Sequence, residues 1–166
     1  ISEESNAAVL IKTEYPILVV LGNPPYSGVS ANRSAWIRQQ LQAYRTVNGQ
    51  PLQERKTMLD DDYVKFIRFA QWRIQLTGEG LIGYITNHAY LDNPTFRGMR
   101  QNLLETFDSI YIYNLHGNIR RQSREREAER DENVFDIQQG VAMLFCVKTP
   151  QSGSKSAEVH YAELRG

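Results

Sequence analysis

The residues best equipped for chemistry stand four in a row: Asn23, Pro24, Pro25 and Tyr26. Asn23 offers a carboxamide oxygen as a hydrogen-bond acceptor, and Pro24 offers a backbone carbonyl that survives the loss of its N–H. Tyr26 adds an aromatic face. The two prolines fix φ and so hold these groups on a stiff loop. Such a set can hold and orient a ligand against the ring, through placement and electrostatics. It calls for no metal ion and no covalent nucleophile.

The preceding stretch must do the positioning. Residues 17–21 (ILVVL) form an apolar run of the kind expected of a strand buried on both faces of a parallel sheet, ended by Gly22 and the prolines. The four residues then stand at the carboxyl end of a strand, where open α/β sheets bind ligands. Upstream, residues 7–11 are a short apolar run, predicted as helix or strand. Downstream, residues 27–32 (SGVSAN) are small and polar, a loop that could close over a ligand or simply connect. Trp36, Ile37, Leu41 and Tyr44 have helical spacing, and Asn48-Gly49-Gln50-Pro51 marks a turn.

Asp60, Asp61 and Asp62 are expected to cap a helix over 60–77 and not to bind metal. Tyr63, Phe66, Ile67, Ala70 and Ile74 form its apolar face, which makes Tyr63 and Phe66 candidate core residues, and Gly78 is its C-cap. Residues 81–86 (LIGYIT) read as a second buried strand ending at Asn87-His88. Asn93-Pro94-Thr95 predicts a turn with Thr95 as N-cap of a helix lined by Met99, Leu103 and Phe107. Residues 109–115 and 140–147 read as strands, the second holding the lone Cys146 as a buried small hydrophobe. Between them, 118–133 is dense in charge and predicted as an exposed loop. Residues 149–155 are a linker, and 158–164 a short final strand. The fold class is α/β, with residues 1–148 as one domain and 149–166 outside it.

Asn23-Pro24-Pro25-Tyr26 resembles the signature of the S-adenosylmethionine (SAM)-dependent amino-methyltransferases. By average residue usage the tetrapeptide arises by chance only on the order of a few times per million positions. Leu115-His116-Gly117-Asn118 and residues 133–141 (NVFDIQQGV) are similar, more particularly, to the methylase region of large single-chain restriction–modification proteins. The resemblance implies the C-terminal half of a Rossmann-like sheet with an antiparallel strand pair at its end. It implies adenine in DNA as substrate, with Asn23 Oδ1 and the Pro24 carbonyl accepting the two N–H bonds of the exocyclic amine. Tyr26 would stack on a base turned out of the duplex. The substrate-binding set it implies adds Pro25, Phe135, which stands where related enzymes sandwich the base, and the Tyr63/Phe66 block bordering the pocket. The family's glycine-rich SAM loop and acidic residue do not occur here, since Gly78-Glu79-Gly80 lies between a helix and a strand. The first strands are therefore expected upstream of Ile1 or in another chain, leaving this piece poorly able to bind SAM alone and prone to self-association through a raw sheet edge.

Weaker candidates accompany these. His88 and His116 follow strand ends and could line a cleft or be satisfied loop residues. Arg120, Arg121, Arg124, Arg126 and Arg130 could contact phosphate, but five interspersed acids favour a self-paired charge run. Lys+Arg and Asp+Glu number 19 each, so no global basic charge announces nucleic acid. One cysteine excludes an internal disulfide, and no apolar run reaches membrane-span length. The chain is expected in the cytoplasm, partnered by DNA, an upstream cofactor half and a target-recognition domain. Two rival readings use the same residues: a protein-glutamine methyltransferase, and a non-catalytic module that keeps the loop to hold DNA or a partner.

Overall fold

Helix α1 (Ser2–Glu14), strand β1 (Val19–Gly22) and helix α2 (Ala35–Gln40) come first. The short strands β2 (Thr46–Val47) and β3 (Gln50–Pro51), helix α3 (Asp62–Thr77), strand β4 (Gly80–Asn87) and helix α4 (Arg97–Thr106) follow. Strands β5 (Ser109–His116), β6 (Val141–Lys148) and β7 (Glu158–Glu163) complete the chain. This computed structural model describes residues 2–26, 28, 30–53, 57–117, 139–150 and 156–164.

Five strands form one sheet in the order β1-β4-β6-β5-β7. β1 pairs parallel with β4, β6 runs antiparallel to both its neighbours, and β7 pairs parallel with β5. The β1–α3–β4 unit and the antiparallel β5–β6 pair are those expected from the sequence. β7 extends this same sheet as its far edge.

Pairing puts alternate rows on opposite faces. The row Ile82, Cys146 and Ile110 is buried, in one core with Tyr63, Ile67, Ala70 and Ile74 of α3 and Met99 and Leu103 of α4. The adjacent row runs Leu21, Gly83, Phe145, Tyr111 and His160 across all five strands. Its Leu21, Phe145 and Tyr111 are exposed. Among the described residues the helices thus cover one face. This corrects the reading of residues 17–21 as a strand buried on both faces: β1 has a neighbour on one side only, and Val19 and Leu21 are 56% and 68% exposed. The apolar residues Val9, Leu10 and Ile11 of α1 are exposed as well.

Local chemistry explains most element ends. Asn48 and Gly49 both take positive φ (49° and 74°), making the two-residue turn that joins β2 to β3. Gly78 ends α3 in the left-handed conformation, its N–H bonded to the Ile74 carbonyl. Asp61 holds the N-cap position of α3, while Asp60 pairs with Arg45 at 2.7 Å instead of capping. The cap at Thr95 is also corrected. Asn93 takes that role, its side chain accepting from Thr95 N, because Pro94 fills the first position of a short 3-10 turn that precedes α4. Cys146 is buried in β6, where burial raises its thiol pKa. Among the described residues no helix is long and apolar enough to cross a membrane.

Candidate active site

Gly22 ends β1 level with Tyr84 of β4, and the chain leaves the sheet at Asn23. Pro24 is buried, whereas Asn23 and Pro25 are exposed and Tyr26 is half-buried. The loop is therefore pinned at its second residue, presents its first and third, and half-covers its fourth. The Tyr26 hydroxyl donates to Asn23 Oδ1 at 3.1 Å, closing the four residues into a ring. Burial raises the Tyr26 pKa, which keeps the phenol a neutral donor.

Beneath the loop lies an aromatic stack. Tyr26 meets Tyr63 edge-on, ring centroids 6.4 Å apart and planes at 88°. Tyr63 contacts Tyr90 and Phe96 in turn, at 6.2 and 6.4 Å. Each such pair adds about 0.5–1.5 kcal/mol beyond simple burial. Two cations of α3 then tie down the segment that follows the loop. Lys65 Nζ donates to the Asn32 carbonyl at 2.7 Å, and Arg68 donates to the carbonyl and side-chain oxygen of Gln40 at 3.1 and 2.7 Å. Both cations are buried and met by neutral oxygens. One helix thus supports the aromatic ring and clamps the chain that leaves it.

Tyr63 and Phe66, expected together, are separated. Tyr63 is 1% exposed, in the core, while Phe66 is 46% exposed. The core reading of Phe66 is corrected on helical phase. Positions 63, 67, 70 and 74 share one stripe, and 66 falls roughly 60° off it.

At the same end of the sheet, the exits of β4 and β5 meet the entry of β6, with both Asn87 and His116 opposite Val141. His88 donates through Nδ1 to Asn114 Oδ1 at 3.1 Å, and its imidazole lies against Gly140 so closely that a Cβ there would stand 2.2 Å away. Asn114 Nδ2 donates to Tyr161 Oη at 3.1 Å, and Tyr161 Oη donates to Glu163 Oε2 at 3.0 Å. His116 Nε2 lies 2.9 Å from the same carboxylate oxygen. Both histidines are thus satisfied by neighbouring side chains, as loop histidines. The sequence carried no signal for this network, whose partners lie up to 47 residues apart. Among the described residues no three His, Cys, Asp or Glu side chains gather as a metal site would need. Phe135, the five arginines from Arg120 to Arg130, and the block 133–138 lie outside the described residues.

Residues 17–120 match the Eco57I restriction-modification methylase family. The chain belongs to that family. Among solved structures, it resembles the ATP-dependent Type ISP restriction-modification enzyme LlaBIII bound to DNA, with TM-score 0.81 and 29% identity over 98% of this chain and 11% of that one. A nuclease-deletion mutant of the Type ISP enzyme LlaGI, in complex with a DNA substrate mimic, gives 0.77 and 26% over 98% and 16%. The DrdV–DNA complex gives 0.73 and 26% over 99% and 16%. This methylase-family chain therefore spans about a tenth to a sixth of the length of the enzymes it matches. Its five-stranded sheet, with β6 alone running against the other four strands, matches their fold. Comparison with curated proteins gave no match.

Proposed function

We propose that this chain is the target-base half of a DNA methyltransferase acting on the exocyclic amine of adenine, within a restriction–modification or phage-defence protein. The observation that carries the reading is the Asn23–Tyr26 loop, anchored at Pro24 on the carboxyl end of β1 in a restriction-modification methylase chain. Adenine's amine is a poor nucleophile because its lone pair is delocalised into the ring. Asn23 Oδ1 and the Pro24 carbonyl would accept its two N–H bonds, draw the nitrogen towards tetrahedral geometry and free the lone pair. Tyr26 and Phe135 would stack on the extruded base, with Pro25 against its edge and Tyr63 backing Tyr26.

SAM supplies the methyl group when bound. Phe66, whose ring is exposed, would border the pocket shared by base and methyl donor. The glycine-rich loop and acidic residue that would hold the rest belong, on this reading, to an upstream half. That half would also cover the open β1 edge and the exposed Val9, Leu10 and Ile11 of α1. Left uncovered, the same edge favours self-association. A target-recognition domain elsewhere in the parent would select the DNA site, and the cytoplasm is where such a protein meets its DNA. The restriction-modification family match weighs against the glutamine-methylating alternative.

The test uses the parent protein restored upstream, incubated with tritiated SAM and mixed duplex DNA and digested to nucleosides. Label is expected in N6-methyl-2′-deoxyadenosine, falling roughly 100-fold or more in Asn23→Ala, the scale for losing a placed polar group at a reacting centre. Label in protein glutamine instead, or none from a folded protein that binds SAM, would overturn the proposal.

A further inference from the structure

The hydrogen bond inside the loop gives Tyr26 a second role. We infer that the Tyr26 hydroxyl latches Asn23 in the resting site and that an incoming adenine must open this latch. The inference rests on the adenine reading above.

A phenol O–H lies in the plane of its ring, so the oxygen it donates to, Asn23 Oδ1 at 3.1 Å, lies near that plane. A base stacked on the same ring sits about 3.5 Å off the plane, and its amine lies in the plane of the base. To accept from that amine in line, Oδ1 must leave the ring plane. The Tyr26–Asn23 bond and the Asn23–amine bond to a stacked base are therefore alternatives. The latch is local. Donor and acceptor are three residues apart, on either side of the buried Pro24 and the exposed Pro25. Neither proline can offer an N–H to Oδ1 in its place. Beneath, Tyr63 braces the Tyr26 ring edge-on, and Tyr63 is itself buried against Tyr90 and Phe96. Opening thus needs rotation of the Asn23 side chain, while the aromatic stack can stay. In the resting state the latch satisfies both polar groups of an exposed loop and holds the amide with its oxygen, not its NH2, towards the ring.

The experiment compares the parent protein with Tyr26→Phe, which keeps the stacking face and removes the donor, and with Tyr26→Ala, which removes both. Tyr26→Phe should lower KM for DNA by about fivefold, the factor one net neutral hydrogen bond is worth. Tyr26→Ala should raise KM. Without DNA or SAM, the Asn23 side-chain amide resonances should shift in Tyr26→Phe relative to the wild type. A KM for Tyr26→Phe that stays level or rises overturns the latch, as does an unchanged amide signal. Failure of the underlying reading looks different: the wild type itself then methylates no adenine, while the amide measurement still reports on the bond.

Discussion

Tyr63 and Tyr44 are both buried in the core, at 1% and 0% exposure, yet their hydroxyls are used differently. Tyr44 Oη donates to Gln71 Oε1 at 2.7 Å. Gln71 is itself fully buried and sends Nε2 to Asn102 and Thr106. Among the described residues Tyr63 Oη meets no hydrogen-bond partner. Phenylalanine preserves the shape of either side chain, so the two substitutions isolate the hydroxyls. Tyr44→Phe leaves a buried amide oxygen without its donor, which costs about 1–3 kcal/mol. Tyr63→Phe removes a desolvated hydroxyl that returns nothing, and should stabilise by about 1 kcal/mol. The two variants should therefore differ by about 2–4 kcal/mol, in opposite directions from the wild type. At a urea slope of about 1–3 kcal/mol/M, that is a readily measured difference in midpoint.

The assay is urea unfolding of the 166-residue chain, followed by far-ultraviolet circular dichroism, with slopes compared to check that the unfolded states match. Tyr63→Ala serves as a control for the ring and should lose about 3–5 kcal/mol. In the parent protein Tyr63→Phe should methylate like the wild type, since Tyr63 is assigned to backing Tyr26 with its ring. The reasoning is refuted if Tyr63→Phe loses 1 kcal/mol or more by the scale above, or if the two variants shift the midpoint equally.

Gly140→Ala should destabilise by about 1–3 kcal/mol, because its Cβ would stand 2.2 Å from the His88 imidazole. Adding His88→Ala should recover part of that loss, and strict additivity in the double-mutant cycle would count against the contact. Raising the pH should also unfold the chain in a defined window. Burial pushes the Tyr84 phenol up to about 12, from an ordinary value of 10.0. The fold thus favours the neutral form, so this stabilisation is complete below pH 10 and is lost as pH rises through 12. Burial shifts Tyr44, Tyr63 and Tyr90 in the same direction. Tyrosinate absorbance and loss of helix should therefore rise together, whereas four phenols titrating near 10 in a still-folded chain would contradict it.

What the sequence disclosed follows from the range of the forces involved. The loop, the helix α3 with its Gly78 cap, and the existence of strands β1, β4, β5 and β6 rest on local propensity and periodicity, and these were readable. Phe66 was not, because a spacing of three keeps a residue near the apolar stripe without fixing which side of its border it falls on. The Asn93 cap was legible in principle: a proline at the first position of a helical turn points to the residue before it as the cap. The Tyr26–Asn23 bond had a cue in its spacing of three, whereas the His88–Asn114–Tyr161–Glu163–His116 network joins residues that only the sheet brings together. The exposure of β1 could not be read at all. An apolar run reports that a strand is meant to be covered, but not whether the covering segments belong to the same stretch of chain.

That open edge raises the question of whether the loop keeps its geometry without whatever lies beyond β1. The contacts argue that it does. Every support found for Asn23–Tyr26 comes from the covered side: Tyr63 braces the ring, and Lys65 and Arg68 of the same helix clamp Asn32 and Gln40 behind it. Helix α3 is in turn fixed by the core it shares with β4, β5, β6 and α4, none of which borders the open edge. On the proposed function, the base-facing groups are thus supported from one side of β1, and the cofactor-facing surface would lie on the other. On this division the isolated chain should preserve the Tyr26–Asn23 bond while lacking methyl transfer, because the groups that orient the amine and the groups that would hold the methyl donor are carried by separate halves of one sheet.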